Sequence, residues 1–302
     1  MCRFAADGGS RYPERVFAME RTAQLRGSGH HDLKSVFRSQ RLDSVERIRL
    51  VSCDMNMSVL PRHKAIATIV CYNNGANAAS TLERIPPAAE RDFDVVVIDD
   101  GSTDDTSAQI ARFGLPVIRH DQNRGLGAAI KSGMRYALDG GYDIFCILAG
   151  NAKDDPGEIP RLLEPIRREE ADYVQGSRFA PGGSQEHTPA FRFAMVKVHA
   201  RFIQLVTGFR GTDSLNGFRA YRTSLFKDGS DINVWQDWLD GYQLETYVHY
   251  KVLSSGRRAT EVGVSKTYPA KKRGIRYSHI RPVIDWWWIL SPIPLLMLRL
   301  RK

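Results

Sequence analysis

A short acidic loop follows an apolar run near residue 100. Residues 95–98 are typical of a buried strand, and they lead directly into Asp99, Asp100, Gly101 and Ser102. A carboxylate at the end of a strand can accept hydrogen bonds from a base N–H or from ribose hydroxyls. Glycine permits a tight turn, and the serine can cap the following helix. The loop therefore indicates a nucleotide-binding turn, although a capped turn with solvated aspartates has the same pattern.

Two arginines have the chemistry that phosphate binding needs. Arg178 follows a strand-like run at 173–176, within the segment GSRFAPGG, and Arg192 comes fourteen residues later. Because the planar guanidinium donates paired hydrogen bonds to phosphate oxygens, both are candidates for a phosphate site. Solvated surface arginines are the alternative interpretation.

The scaffold that would position these residues is predicted to be an α/β domain. From Lys64 onward, short β-rich runs alternate with helical patterns, which is typical of a mostly parallel central sheet flanked by helices. The predicted strands are at 65–71, 94–98, 116–119, 144–148, 173–176, 218–221 and 259–264. The predicted helices are at 76–84, 104–113, 125–138, 156–169, 191–207 and 237–254. In such sheets ligands bind beyond the carboxyl ends of the strands, where the acidic loop and Arg178 lie.

Composition excludes several other classes of protein. The 302 residues are 42% hydrophobic and 25% charged, as in an ordinary globular domain. The four cysteines are far apart in sequence, which predicts neither a zinc site nor a disulfide framework and fits a reduced, cytosolic compartment. The segment NRGLGAA lacks the third glycine of a dinucleotide fingerprint, which argues against a dehydrogenase.

The net charge of +9 is concentrated near the C-terminus. Residues 257–302 contain eleven Lys or Arg and two acidic residues, so the first 256 residues are neutral overall. Three tryptophans at 286–288 begin an apolar stretch that is too short, and too interrupted by prolines, to span a bilayer. Trp beside Arg and Lys is typical of a membrane interface. We expect binding to an anionic membrane surface and not to nucleic acid, with a helix closing the domain's own core as the alternative.

Three regions are predicted along the chain. Residues 1–62 mix Gly, Ser, Arg and His without sustained periodicity and lack the apolar core of a secretory signal, which predicts a disordered extension. Residues 63–278 form the α/β domain, and residues 279–302 form the basic, Trp-rich interfacial tail. The expected location is cytoplasmic, with peripheral association at the cytoplasmic face of the membrane.

The ordered motifs resemble those of the family 2 glycosyltransferases, which have the GT-A fold. Across 65–278 the matching segments are VCYNN, VVVIDDGSTDDT, NRGLGAAIKSGMRYA, KDDPGEIPRLL, ADYVQGSRFAPGG and DSLNGFRAYR. The polyprenyl-phosphate (dolichol-phosphate type) sugar transferases look most similar, since G-S-R-F-x-x-G-G and G-F-R-A-Y recur in them. The resemblance implies a cell-envelope hexosyltransferase that moves a sugar from a UDP- or GDP-sugar to a polyprenyl phosphate with inversion.

The same resemblance implies which residues hold the sugar-nucleotide donor. Tyr72, with Asp99 or Asp100, would hold the nucleoside. Arg124 and Lys131 would lie near the donor phosphates. Gly125 begins a tight entry into a helix whose N-terminus can face phosphate.

For the acceptor, the resemblance implies a set of three arginines. Arg178, Arg192 and Arg273 would contact the acceptor phosphate, although the loop around Arg273 matches the family only loosely. A phosphate is ionised at neutral pH and attacks without a protein base, whereas a sugar hydroxyl would need one. The candidate bases for a hydroxyl are Asp213, Asp237 and Glu245.

The sequence departs from the family at the D-x-D motif, whose carboxylates bind a divalent cation. Alignment on the shared D-P pair at 155–156 puts Ala149 and Asn151 where the aspartates belong, with Lys153 two residues later. Three interpretations are open: a weaker Mg²⁺ or Mn²⁺ site, replacement of the metal by the Lys153 ammonium, or loss of transfer activity. The candidate ligands of the weaker metal site are Asn151, Asp154 and Asp155.

Other functions fit parts of this pattern. A transferase to a glycan hydroxyl in cell-surface polysaccharide synthesis would share the donor loop. A catalytically silent nucleotide-sugar-binding protein would explain the altered D-x-D. A nucleotidyltransferase has a similar sheet, but the GSRFAPGG and NGFRAYR segments argue against it.

Overall fold

A computed structural model describes residues 63–188, 190–268, 289–298 and 300, with Phe191 described by its backbone only. The predicted extension at 1–62, most of the predicted tail and Arg273 lie outside the described residues.

The described chain contains nine strands: β1 Ala65–Cys71, β2 Asp94–Asp99, β3 Val117–Arg119, β4 Ile144–Ala149, β5 Tyr173–Ser177, β6 Ser184–Glu186, β7 Arg219–Arg222, β8 Ala259–Gly263 and β9 Ser265–Thr267. Seven of them form the central sheet, in the order β3-β2-β1-β4-β7-β5-β8. Strands β1 to β4 pair in parallel, β7 runs antiparallel to both β4 and β5, and β5 pairs in parallel with β8. A separate two-stranded parallel sheet joins β6 to β9.

Helices cover both faces of this sheet. They are α1 Ala76–Leu82, α2 Thr106–Ala111, α3 Leu126–Asp139, α4 Ile159–Arg167, α5 Ala190–Thr207, α6 Gln243–Ser254 and α7 Pro292–Met297. Single turns of 3₁₀-helix occupy Pro156–Glu158, Thr223–Phe226 and Asp237–Leu239.

The central strands β1, β2 and β4 are mostly apolar because both faces of the sheet are buried. In β1, Ile66 and Val70 belong to one hydrophobic cluster, while Ala67 and Ile69 belong to the other. Residues of α3 and α6 complete the first cluster, and residues of α1, α2 and α4 complete the second. This three-layer arrangement confirms the predicted α/β class with a mostly parallel sheet.

Two predicted helices differ from the observed ones. The helix predicted at 237–254 is divided into Asp237–Leu239 and α6, because the intervening loop packs against the start of α3, where Ala128 donates its N–H to the Asp240 carbonyl at 3.0 Å. The helix predicted at 156–169 begins with a 3₁₀ turn at Pro156–Glu158 before α4. Strands β6 and β9 were not predicted, since each has three residues and no apolar alternation.

The described part of the predicted tail contributes to the core. Ile293 of α7 is fully buried in the cluster that contains α6, whereas Met297 and Leu298 are exposed. No helix in the described ranges has the length and apolar character needed to cross a membrane.

Candidate active site

A cavity of about 460 Å³ lies at the carboxyl ends of the central strands. It is lined by one predicted site residue beyond each of four strands: Tyr72 after β1, Asp100 after β2, Asn151 after β4 and Arg178 after β5. Because parallel strands end at the same edge of a sheet, residues far apart in sequence meet here.

Asp100 forms part of the cavity wall and also organises the loop opposite it. Its Oδ1 accepts the backbone N–H of Arg124 at 2.9 Å and lies 2.6 Å from His120 Nδ1. Its Oδ2 accepts the Gly125 N–H and the Asn123 side-chain amide, each at 2.9 Å. The carboxylate therefore joins β2 to the loop that begins α3, and fixes the shape of the proposed nucleotide pocket.

Asp99 has a different environment from its neighbour. It is fully buried and does not line the cavity. Its carboxylate accepts the Ser102 N–H at 3.0 Å and the Ser107 hydroxyl. Of the two aspartates predicted near the nucleoside, Asp100 lies at the cavity, and Asp99 stabilises the turn behind it.

The turn that follows β2 depends on a glycine. Gly101 has φ of +69°, and a Cβ built on it would lie 2.3 Å from the Gln122 carbonyl carbon. Any side chain here would force apart the two loops that form the cavity wall.

The loop that follows β1 and the loop that follows β2 are also joined by direct hydrogen bonds. Asn73 Oδ1 accepts the Thr103 N–H at 2.8 Å, and Thr106 Oγ1 accepts the Asn74 N–H at 2.8 Å. These contacts place Tyr72 beside the acidic loop at the cavity.

Arg124 and Lys131 do not line the cavity. The Arg124 side chain is exposed. Lys131 Nζ donates to Asp240 Oδ1 at 2.6 Å and to the Gln236 carbonyl at 2.8 Å, which anchors the 236–240 loop against α3. Their contact with donor phosphates stays a prediction that this geometry does not support.

The two described arginines of the predicted acceptor site meet at one tyrosine. Arg178 donates to both carboxylate oxygens of Asp213, at 2.6 and 2.8 Å. Arg178 Nη1 also lies 3.5 Å from the Tyr268 hydroxyl, and Arg192 Nη1 lies 3.4 Å from the same oxygen. Burial opposes the charged form of Arg178, but the hydrogen bonds and charge of Asp213 outweigh it and raise its pKa. The guanidinium is therefore held rigid and charged at the cavity.

The candidate general bases are placed differently from one another. Asp213 is fully buried in its pair with Arg178, and Asp237 is exposed and does not line the cavity. Glu245, in the first turn of α6, does line it. Of these three carboxylates, Glu245 alone lines the cavity.

Beyond β4 the chain turns sharply and carries a buried lysine into the cavity. Gly150 packs so closely on β1 that a Cβ built on it would lie 2.3 Å from Cys71 Sγ. Lys153 lines the cavity and is only 5% exposed. Burial, followed by the charges of Lys266 and Arg192, lowers the pKa of Lys153 to about 7.

Comparison with known proteins decides the family. The model of the family described as Glycosyl transferase family 2 matches residues 67–230. The chain belongs to glycosyl transferase family 2. This confirms the predicted family and the predicted enzyme class, a glycosyltransferase.

Curated relatives of this family 2 glycosyltransferase include bacterial enzymes named for lipid phosphates. The undecaprenyl-phosphate mannosyltransferase of Micrococcus luteus is 28% identical over 207 residues, covering 67% of this chain and 83% of that protein. The polyprenol monophosphomannose synthase of Mycolicibacterium smegmatis is 26% identical over 216 residues, covering 70% and 80%.

Among solved structures, this family 2 glycosyltransferase is similar to glucosyl-3-phosphoglycerate synthase from Mycobacterium tuberculosis, in complex with Mn²⁺, UDP and glucosyl-3-phosphoglycerate. The TM-score is 0.52 at 16% identity, with 86% of this chain and 85% of that chain covered. At this identity the similarity bears on the fold alone, and it confirms the GT-A-like prediction.

The residues at the D-x-D position of this family 2 glycosyltransferase do not fit a divalent cation. Asn151 offers one neutral oxygen, which accepts the Lys153 N–H at 3.2 Å. Asp154 is paired with Lys266 at 2.7 Å, and Asp155 caps a 3₁₀ turn through the Gly157 N–H. No cluster of three His, Cys, Asp or Glu side chains suited to a metal occurs among the described residues. Mg²⁺ and Mn²⁺ prefer several carboxylate or carbonyl oxygens, which this set lacks.

Sequence reasoning missed several residues of this cavity, among them Lys266 and Tyr268. Both lie in or just after β9, a short polar strand without an apolar pattern. The only available signal was their position immediately before the basic segment at 271–276.

Proposed function

We propose that this protein transfers a sugar from a UDP- or GDP-sugar to a polyprenyl phosphate, with inversion at the anomeric carbon. The observation that carries the proposal is the convergence of Arg178 and Arg192 on Tyr268, in the cavity that Tyr72 and Asp100 also line. One cavity thus combines a nucleotide loop with rigid guanidinium groups suited to a second phosphate. One of the two relatives described above is named for undecaprenyl phosphate and the other for polyprenol monophosphomannose, which supports a polyprenyl-phosphate acceptor here.

The reaction needs no protein base when the acceptor is a phosphate. A phosphate oxygen attacks the anomeric carbon from the face opposite the leaving group, so a new C–O bond forms as the old one breaks. The electron pair of the broken bond goes to the departing nucleoside diphosphate. The burial of Asp213 in its pair with Arg178 suits this mechanism, because that carboxylate positions the guanidinium. Charge stabilisation of the leaving diphosphate then supplies most of the catalysis.

An exposed apolar face beside the phosphate site supports a lipid acceptor. Helix α5 carries Arg192 in its first turn, and further along it exposes Val198 (63%), Phe202 and Leu205 (83%). Their spacing places these side chains on one face of the helix. We infer that this face, with the basic C-terminal tail, rests on an anionic membrane surface at its cytoplasmic side.

Glu245 favours a second candidate function. It is the candidate base that lines the cavity, and it would be needed if the acceptor were a sugar hydroxyl on a cell-surface glycan.

The acceptor can be tested with purified protein, detergent-dispersed polyprenyl phosphate and a panel of radiolabelled UDP- and GDP-sugars. We expect label to pass into the organic phase from one donor, and Arg192→Met to reduce kcat/KM roughly 10- to 100-fold, as loss of a charged hydrogen bond does. Arg112→Met, an exposed arginine at the end of α2, is the matched control and should retain activity. Label found only in a water-soluble glycan, or activity lost in Glu245→Gln alone, would favour the hydroxyl acceptor.

A further inference from the structure

Two buried lysines line the cavity near Asn151, which the family resemblance aligns with one aspartate of the D-x-D motif. Lys153 lies four residues beyond the end of β4, Lys266 lies in β9, and both line the cavity. Both side chains are largely withdrawn from solvent, with 5% of Lys153 and 11% of the Lys266 side chain exposed. Burying an ammonium group is unfavourable unless a negative charge compensates for it.

The protein's own carboxylates compensate only part of this charge. Over the described residues, five of the charged side chains that line the cavity are basic and three are acidic, and Asp213, which pairs with Arg178 from behind the wall, adds a fourth carboxylate. Asp154, which is 2% exposed, is hydrogen-bonded to Lys266 at 2.7 Å. The remaining positive charge predicts an anionic ligand close to the lysines.

Lys266 is oriented by fixed partners. Its Nζ donates to Asp154 Oδ1 at 2.7 Å and to Asn216 Oδ1 at 2.8 Å. An ammonium group has three N–H bonds, so a third can be donated to a ligand oxygen. Asp154 is therefore a positioning residue for Lys266, which accounts for an acidic residue at this place that does not bind metal.

We propose that Lys153 and Lys266 together neutralise the diphosphate of the sugar-nucleotide donor in place of a divalent cation, so that donor binding requires no metal. When both lysines are protonated, the two ammonium groups carry the same formal charge as one Mg²⁺ or Mn²⁺. A lysine can serve a phosphate as a point charge, as the P-loop lysine does. As the bond to the anomeric carbon breaks, its electron pair adds negative charge to the diphosphate, and the two ammonium groups stabilise that charge. This inference rests on the proposed function only in taking a nucleotide-sugar as donor.

Calorimetric titration of the full-length protein with UDP and GDP, after exhaustive dialysis against EDTA, tests the inference without an acceptor. We expect one nucleoside diphosphate to bind in EDTA and its affinity to change less than about twofold when Mn²⁺ replaces EDTA. Lys153→Met is expected to weaken that binding roughly 10- to 100-fold. The corresponding nucleoside has no diphosphate, so we expect it to bind the Lys153→Met variant and the unsubstituted protein with equal affinity. Lys227→Met, an exposed lysine outside the cavity, is the matched control and should bind as the parent protein does.

Lys266 needs a paired substitution, because Lys266→Met alone leaves Asp154 buried and uncompensated. Lys266→Met combined with Asp154→Asn removes both charges, and circular dichroism checks its fold. We expect this double variant to lose nucleoside diphosphate affinity to an extent similar to Lys153→Met.

The outcomes separate this inference from the proposed function. Binding that rises tenfold or more with Mn²⁺, or unchanged affinity in Lys153→Met, overturns the inference even if transfer to polyprenyl phosphate is observed. Metal-independent binding that depends on Lys153 upholds it even if no sugar reaches polyprenyl phosphate, in which case the acceptor assignment alone fails. Binding of neither nucleoside diphosphate overturns both.

Discussion

Replacing Arg178 should separate its structural role from its proposed role in phosphate binding. Arg178 is 4% exposed and Asp213 is 0% exposed, and two hydrogen bonds of 2.6 and 2.8 Å join them. Arg178→Met leaves the Asp213 carboxylate buried without its partner, which costs about 3–5 kcal/mol of unfolding free energy. Arg178→Met with Asp213→Asn removes the uncompensated charge, and the double variant should recover most of the lost stability because exchange of a whole buried pair is often nearly neutral.

Urea unfolding followed by tryptophan fluorescence measures the stability, and label extracted into organic solvent measures transfer. The double variant should fold but retain a kcat/KM roughly 10- to 100-fold below the parent, since the guanidinium is absent. Arg167→Met, which removes a pair with the exposed Asp92, is a control and should cost under about 1 kcal/mol. A double variant as unstable as the single one would refute the burial argument. Full transfer by the double variant would refute the role of Arg178 at the acceptor.

Four further predictions concern stability, pH and the membrane. Gly127→Ala should cost about 1–3 kcal/mol in urea unfolding, since a Cβ there lies 1.9 Å from the Leu239 carbonyl oxygen; near-parent stability would contradict this packing. Burial, followed by the charge of Arg219, lowers the pKa of His199 in the folded protein to about 4. In the unfolded chain the pKa of this histidine is about 6.5, so as the pH falls the unfolded chain binds a proton before the folded protein does. The unfolding free energy should therefore decline between about pH 6.5 and pH 4 by up to roughly 3 kcal/mol. A decline of the same size in the His199→Asn variant would show that His199 is not its cause. Because the pKa of Lys153 is about 7, the affinity for a nucleoside diphosphate should fall as the pH rises through about 7, and binding should be accompanied by proton uptake. A calorimetric affinity that does not change with pH would contradict this prediction. Leu205→Gln should leave stability within about 0.5 kcal/mol yet weaken co-flotation with anionic liposomes, and unchanged flotation would count against attachment through α5.

The fold could be predicted largely because its central strands have an unambiguous pattern. In β1 all seven residues are buried, and the sequence there is apolar except for Thr68. The length and the composition of this run both indicate a buried strand and not a helix. The prediction of one helix at 237–254 was wrong in part. The loop around Gly241 is held by contacts with residues of α3, which precede it by more than a hundred positions in the sequence. The Lys131–Asp240 pair, 109 residues apart, is one of them. Local periodicity carries no information about such contacts.

The site could be predicted most directly where a residue lies just beyond a central strand. Tyr72, Asp100, Asn151 and Arg178 lie one or two residues beyond a strand, and all line the cavity. The family resemblance or the reaction chemistry added Lys153, Arg192 and Glu245, which line it as well. Adjacent residues such as Asp99 and Asp100 point in different directions, and the pattern alone could not assign one to the cavity and the other to the turn. Lys266 could not be found, because a three-residue strand pairs with a distant partner without a hydrophobic signature.

Mass spectrometry of the lipid product determines whether the protein transfers a sugar to a lipid phosphate. Purified protein, its preferred nucleotide-sugar and vesicles that contain polyprenyl phosphate are incubated in EDTA, and the lipids are extracted. We expect polyprenyl phosphate carrying one additional sugar residue, formed without added metal and absent when donor is omitted. Recovery of unmodified polyprenyl phosphate under conditions where the donor is shown to bind would contradict this expectation.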